Sequence, residues 1–268
     1  MQIWSASIKA FISFCLVSSS IYLLNDCIDK SKDKRHPLKK NRAIASGLVS
    51  VKFAIITSLI LLLTSLIIGF KLNISFILVL VSYYLIQILY CLFLKNIPLV
   101  EFFCIAIGFI LRSVAGGVAS GIYISSWFLL SVGMLSLFLA VEKRKAEILN
   151  LRGNSLLTRK VLKNYSIPLI NKFESILTSC TVMTYSLWAY GPAIGGSRSP
   201  LMLITIPFVI IGIFRYQMLS DTNYDYENLS KIEMNILETP ENVIIKDKPM
   251  QIIIIIWLLL TIYIGLIT

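Results

Sequence analysis

Apolar residues run through this chain in long continuous blocks, without the alternation of strands or the single stripe of a surface helix. Eight blocks, at about residues 3–24, 51–70, 74–94, 98–119, 124–142, 173–191, 200–218 and 250–267, reach or approach the roughly 18 to 20 residues that cross a bilayer core. Only helices and closed barrels satisfy their backbone polar groups in lipid, and continuous blocks favour helices. The pattern therefore predicts an all-α, multispanning transmembrane helix bundle of eight spans, built as a single integral membrane domain over 1–268. The first block starts at once, with no charged leader and no small-residue cleavage site, so it reads as a span and not a removable signal.

The polar connections fall into two kinds. Those around Lys71–Asn73, Ser120–Tyr123 and Gly191–Ser199 are short, whereas 25–50, 143–172 and 219–249 are long. Alternating the spans puts 21 of the 25 Lys and Arg residues on the side of the long connections and two on the other. The positive-inside rule makes the long-loop side cytoplasmic. Both chain ends then lie on the opposite side, with almost nothing before the first span. That oddity predicts a lost upstream segment, one more helix entering from the cytoplasm.

Composition sharpens this picture. Of 268 residues 57% are hydrophobic, above the roughly 45–50% of soluble domains, and the mean hydropathy is +0.81. The net charge of +11 follows from cytoplasmic loops and does not imply nucleic acid as a partner. Five scattered cysteines, Cys15, Cys27, Cys91, Cys104 and Cys180, form neither a disulfide framework nor a zinc pattern. No Ser/His/Asp set, Walker loop or dinucleotide fingerprint is present.

The candidate chemistry begins where the first block ends, in LNDCIDKSKDKRHPLKKNRAIASGLVS, residues 24–50. On a helix Asn25, Asp29 and Asp33 form one stripe, with Asp26 beside it. Stacked carboxylates repel unless a cation sits among them, and Mg²⁺ takes one or two carboxylates together with substrate phosphates. The adjacent bases, Lys34, Arg35 and Arg42 among them, suit the remaining phosphate charge. A solvated, salt-bridged helix end is the plainer alternative. His36, the sole histidine, stands beside Pro37 and reads as positional or phosphate-contacting, not as a general base.

A second cluster, Glu142-Lys143-Arg144-Lys145-Ala146-Glu147, follows the fifth block as the first follows block one, and so is expected at the same membrane depth. Lys143 and Arg144 are spaced to pair with Glu147 on a helix. One cluster is acidic enough for a metal, the other basic enough for a phosphate. Together they could hold a metal–diphosphate and a second phosphate side by side. Arg112 lies inside the Gly-rich block FILRSVAGG, where a charge marks a pathway or site unless it snorkels to the interface. Arg215 and Tyr216 close the seventh block as substrate contacts or as interfacial anchors.

The run NDCIDKSKDKRHPLKKNRAIASG resembles the first aspartate-rich motif of the UbiA superfamily of intramembrane prenyltransferases. DKRHPLKKNR, EKRKAE, LRSVAGG, IFRY and KDKP together look like its decaprenyl-phosphate phosphoribosyltransferase branch, over nearly the whole chain. Ala43 stands where that pattern usually has Pro, and the branch's N-terminal basic-aromatic segment and first helix have no counterpart here.

The resemblance implies a nine-helix bundle in the bacterial inner membrane, serving cell envelope biosynthesis, with its active site open to the cytoplasm. It implies transfer of 5-phosphoribose from phosphoribosyl diphosphate to a polyprenyl phosphate. Asn25, Asp26, Asp29 and Asp33 would hold Mg²⁺. Lys34, Arg35, Arg42, Lys143 and Arg144 would hold phosphates, and Glu147 would orient Lys143 or Arg144. Asp26, Asp29, Lys143, Arg144 and Glu147 are thus the expected catalytic set; Lys34, Arg35, His36, Arg42, Arg112, Arg215 and Tyr216 are the expected substrate contacts. Membrane lipids are expected partners, and a homo-oligomer stays open. The alternatives are a conventional polyprenyltransferase using a polyprenyl diphosphate, which the missing second aspartate motif disfavours, and an inactive membrane protein or lipid transporter.

Overall fold

The computed structural model describes residues 2–35, 39–150, 160–220 and 244–268. These fall into two compact units, residues 1–124 and 125–268. Among the described residues a long helix stands at every expected span, and no strand is formed. The first unit holds α1 (Gln2–Asp33), the short α2 (Ala43–Ser46), α3 (Val51–Phe70), α4 (Ile74–Leu92) and α5 (Val100–Ser120). The second holds α6 (Ser126–Asn150), α7 (Ile167–Ala189), α8 (Ile206–Ser220) and α9 (Lys248–Ile267). Among the described residues seven helices, counting α8 with its 3₁₀ entry Pro200–Thr205, are long and apolar enough to cross a membrane.

The exception is α7. It begins six residues before the expected block, at an N-cap where Ser166 accepts from the Leu169 N–H and Pro168 fills the first turn. Its mean apolarity is lowered by Asn171, Lys172, Glu174 and a row of hydroxyl residues. The hydroxyls of Ser175, Thr181, Thr184 and Ser186 donate to the carbonyl one turn back, so they add little exposed polarity.

In the first unit α1 packs on α3, α4 and α5. Ala10, Phe14, Val17 and Ile21 repeat at helical spacing and bury one stripe of α1 against Phe76, Leu80 and Tyr83. Between α1 and α3 the seam is polar and small. Ser13 and Ser65 exchange hydrogen bonds of 2.8 to 3.0 Å, and Ser20 and Ser58 repeat the exchange seven residues along. Lipid provides no hydrophobic drive between helices, so small residues and interhelical hydrogen bonds set this contact. The outer faces of α3 and α4 carry exposed Phe53, Ile56, Leu59, Leu63 and Leu78, as lipid contact requires.

In the second unit α6 packs along α7, and α8 joins α7 and α9. Phe138, Ile213, Tyr216 and Met250 form the core where α6, α8 and α9 meet. Tyr185 and Thr205 share a 2.6 Å hydrogen bond, and the Trp257 indole donates to the same Tyr185 oxygen at 2.8 Å.

Two helices overrun their expected spans. α1 continues nine residues past 24 to Asp33, and α6 continues eight past 142 to Asn150. Hydropathy drops at the first charge, but the helix does not stop there. On α1 the last turn carries Lys30 and Lys32, which complement the helix C-terminal dipole. The overruns, about 12–14 Å each at 1.5 Å per residue, carry both charged clusters.

Candidate functional site

The end of α1 places Asn25, Asp29 and Asp33 one above another, with Asp26 alongside. Asp29 and Asp33 are buried and Asp26 is half-buried. Three carboxylates this close require compensation, and two cations reach in from elsewhere. The first is Lys95, on the 3₁₀ turn Leu94–Asn96 between α4 and α5. Its Nζ lies 2.6 Å from Asp29 Oδ2 and 3.2 Å from Asn25 Oδ1.

The second is Arg42, whose Nη1 donates to Asp26 Oδ1 at 2.7 Å and to Asp33 Oδ2 at 3.1 Å. Local folding brings it there. Arg42 occupies the N-cap of α2, where Ile44 and Ala45 are buried and α2 packs on α1. Gly47, at φ +89°, then turns the chain away in the left-handed region that side chains avoid. Lys32 adds a third, exposed cation 3.5 Å from Asp29 Oδ1.

The donors in this cluster are hard oxygens, the kind Mg²⁺ selects. Among the described residues no three His, Cys, Asp or Glu side chains converge into a ready ligand cage. Mg²⁺ rarely uses such a cage; it is held by one or two carboxylates and by substrate phosphates. The residues therefore fit Mg²⁺ carried with an anionic substrate. Lys34 and Arg35 are exposed just beyond, and the Arg35 Nε donates to the Ser31 carbonyl. His36 lies outside the described residues.

The end of α6 has a different balance. Arg144 is 2% exposed and donates to Glu147 Oε2 at 2.7 Å. Lys143 is half-buried. Lys145 donates at 2.7 Å to Oε2 of Glu174 on α7, whose Oε1 accepts from Gln217 on α8 at 2.9 Å. Gln217 also reaches Thr178, at 2.9 Å. Three helices are thus tied at one level by a buried polar knot. Glu142, 1% exposed, abuts Glu174 and Ser220 at the edge of this knot, and neither of its carboxylate oxygens has a hydrogen-bond partner among the described residues.

Arg215 and Tyr216 turn to the interior of their own unit. Arg215 grips Asp247 through two bonds, Nε to Oδ2 at 3.1 Å and Nη2 to Oδ1 at 2.8 Å. Asp247 in turn caps α9 by accepting the Met250 N–H at 2.9 Å. The hydrogen bonds from Arg215, opposed by burial, hold the Asp247 carboxyl below its ordinary range. Tyr216 is buried with its ring edge-on to Phe138 at 5.8 Å. Arg112 is half-buried and donates to the Tyr83 hydroxyl at 2.7 Å.

Sequence reasoning missed Lys95, Glu174 and Gln217 as site residues. Glu174 was open to discovery by the rule that singled out Arg112, since an acid within an expected span is a functional candidate. Lys95 offered only its place as the lone base on a short connection between two expected spans.

The sequence pattern of the UbiA prenyltransferase family matches residues 2–237. A decaprenyl-phosphate phosphoribosyltransferase of Mycolicibacterium smegmatis is 32% identical over 257 residues, covering 93% of this chain and 77% of that protein. One of Mycobacterium tuberculosis is 31% identical over 258 residues, covering 96% and 81%. Among solved structures, a UbiA homolog from Archaeoglobus fulgidus bound to GPP and Mg²⁺ superposes with a TM-score of 0.71 at 16% identity, covering 95% of this chain and 86% of that one.

Proposed function

We infer the function from one premise: the chain belongs to the UbiA prenyltransferase family, and its sequence follows the phosphoribosyltransferase relatives along most of its length. It moves 5-phosphoribose from phosphoribosyl diphosphate to a polyprenyl phosphate. The bond from the anomeric carbon to the diphosphate oxygen breaks, the lipid phosphate oxygen bonds to that carbon, and diphosphate leaves. The lipid phosphate is already an anion, so no general base is needed, in keeping with a chain that has a single histidine.

The observation that carries this reading is the α1 cluster, where carboxylates and cations are interleaved at one helix end. Asn25, Asp26, Asp29 and Asp33 are the residues that would hold Mg²⁺ on the diphosphate. When bound, the metal supplies Lewis-acid neutralisation of the leaving group. Lys95 and Arg42 exchange their carboxylate partners for diphosphate oxygens, while Lys34 and Arg35 extend the positive rim. In the second unit, Lys143 and Arg144 take phosphate charge and Glu147 holds the Arg144 fork in place. Positioning and electrostatics carry the rate. The protein is an integral membrane protein; we place it in the bacterial inner membrane with the α1 cluster toward the cytoplasm, where the long basic loops belong.

The test uses membranes carrying the full chain, radiolabelled phosphoribosyl diphosphate, Mg²⁺ and polyprenyl phosphate. Label should enter the organic phase and vanish with Asp29→Asn and with chelator. Label that never enters, while a labelled prenyl diphosphate is consumed instead, overturns the donor assignment in favour of a conventional prenyltransferase.

A further inference from the structure

Below the aspartate cluster, α1 and α5 enclose a groove of about 540 Å³ within the first unit. It runs along α1 from Tyr22 to Ser7, with Phe11 and Phe14 on one wall and Gly116 on the other. Its lining is mostly apolar, and one charge stands in it, the guanidinium of Arg112. Among the described residues every partner of that guanidinium is neutral. Nη2 is 2.7 Å from the Tyr83 hydroxyl and 3.5 Å from Ser18 Oγ, and the group lies 5.3 Å and 5.1 Å over the rings of Tyr83 and Phe109. An arginine within a span normally pairs with an acid or with backbone carbonyls, or else marks a substrate pathway. Tyr83 fixes this fork from one side, and its position is itself fixed by packing on Phe14 at 5.2 Å.

We propose that the groove is the docking site of an anionic single-chain polyprenyl lipid, its phosphate on Arg112 and its chain laid along α1 toward Ser7. This assignment rests on the polyprenyl phosphate acceptor inferred above. Arginine binds phosphate through paired N–H donors, and a preset fork loses little freedom in doing so. From Ser18 to Ser7 the groove offers eleven residues of helix, about 16 Å, for apolar chain. The volume lies within the roughly 300–1,000 Å³ of ligand sites. Ser18 stands seven residues before Asn25, so the phosphate stops about 10 Å along the helix axis from the aspartate cluster. Arg112 thus acts as the station from which the acceptor meets its donor.

The experiment measures binding of radiolabelled polyprenyl phosphate to the purified full chain, with unlabelled polyprenol and phosphatidylglycerol as competitors. Wild type should prefer the polyprenyl phosphate over polyprenol by tenfold or more. Arg112→Gln should abolish that preference, and Arg112→Lys should restore part of it. Gly116→Leu should block binding of both lipids, since a side chain added at Gly116 meets nothing within 4 Å and projects into open groove. Binding of phosphoribosyl diphosphate with Mg²⁺ should be unchanged in all three. Cys15 is exposed on the groove wall, so bound lipid should slow its alkylation in the wild-type chain, a readout independent of any variant's folding.

Preference retained in Arg112→Gln, equal competition by phosphatidylglycerol, or unprotected Cys15 would each overturn the site. The two inferences fail separately. Arg112-dependent binding without ribosyl transfer removes the proposed reaction and leaves the groove assignment. Transfer by Arg112→Gln with an unchanged KM for the lipid does the reverse.

Discussion

Replacing Lys95 with methionine should be among the most damaging single changes in the first unit, although Lys95 stands on a three-residue turn. The Lys95–Asp29 pair is 2.6 Å long, with side-chain exposures of only 7% and 13%. Methionine keeps the apolar stem and removes the ammonium, which takes its buried counter-charge from the Asp29 carboxylate. Removing one partner of a buried pair costs about 3–5 kcal/mol. Here the lower end applies, about 3 kcal/mol, because Lys32 remains 3.5 Å from the other Asp29 oxygen. Arg42 gives the contrast. It touches two carboxylates but is 41% exposed. Exposed pairs are worth about 1 kcal/mol or less, so Arg42→Met should cost roughly 1–2 kcal/mol in total.

The assay is reversible unfolding of the detergent-solubilised chain, run as a double-mutant cycle on Lys95→Met and Asp29→Asn. The neutral amide of Asp29→Asn leaves no charge to strand, so the double variant should recover about 1–3 kcal/mol relative to the sum of the singles. Additivity within about 0.5 kcal/mol, or equal losses for Lys95→Met and Arg42→Met, would refute the argument that burial makes Lys95 the stronger anchor.

The second unit offers a parallel case. Glu142→Gln removes the one of two abutting buried carboxylates that makes no hydrogen bond and should leave thermal stability equal or higher, whereas Glu174→Gln takes from Lys145 the carboxylate it donates to and should cost about 3 kcal/mol; a melt in which Glu142→Gln is the worse variant sinks this ordering. At the α9 cap the Asp247 carboxyl titrates below its ordinary 3.8, so its contribution is fully present above that pH and is lost as pH falls through the lowered value. The stability gap between wild type and Asp247→Asn should therefore be flat from neutral pH to about 4 and close below it; a gap that widens on acidification reverses the sign and the reasoning. Gly121 ends α5 at φ +68° with open space around it, so Gly121→Ala should lose about 1 kcal/mol from backbone strain alone, while Gly116→Ala in the helix interior should gain up to about that amount. Unfolding midpoints that move the same way for both would contradict it.

The eight blocks were legible because lipid-facing helices need no polar face, so hydropathy alone marks them. The same logic explains where it misled. Hydropathy ends a span at its first charge, yet α1 and α6 carry their helices through eight or nine further residues, and both charged clusters ride on those overruns. The stripe of Asn25, Asp29 and Asp33 was readable from spacing, since an i, i+4 relation is local. Its counter-charges were not. Lys95 is 66 residues from Asp29, and Arg42 arrives only because Ile44 and Ala45 bury α2 against α1. Glu174 and Lys145 meet across two helices for a similar reason.

Local charge patterns therefore mark a candidate site, while the fold alone decides which ion pairs surround it. Arg112 makes the point from the other side. Its sequence context permitted snorkelling or a pathway role. Neutral partners in an apolar groove favour the second, because a guanidinium that merely escaped the membrane has no need of a Tyr83 hydroxyl and two ring faces to hold it there.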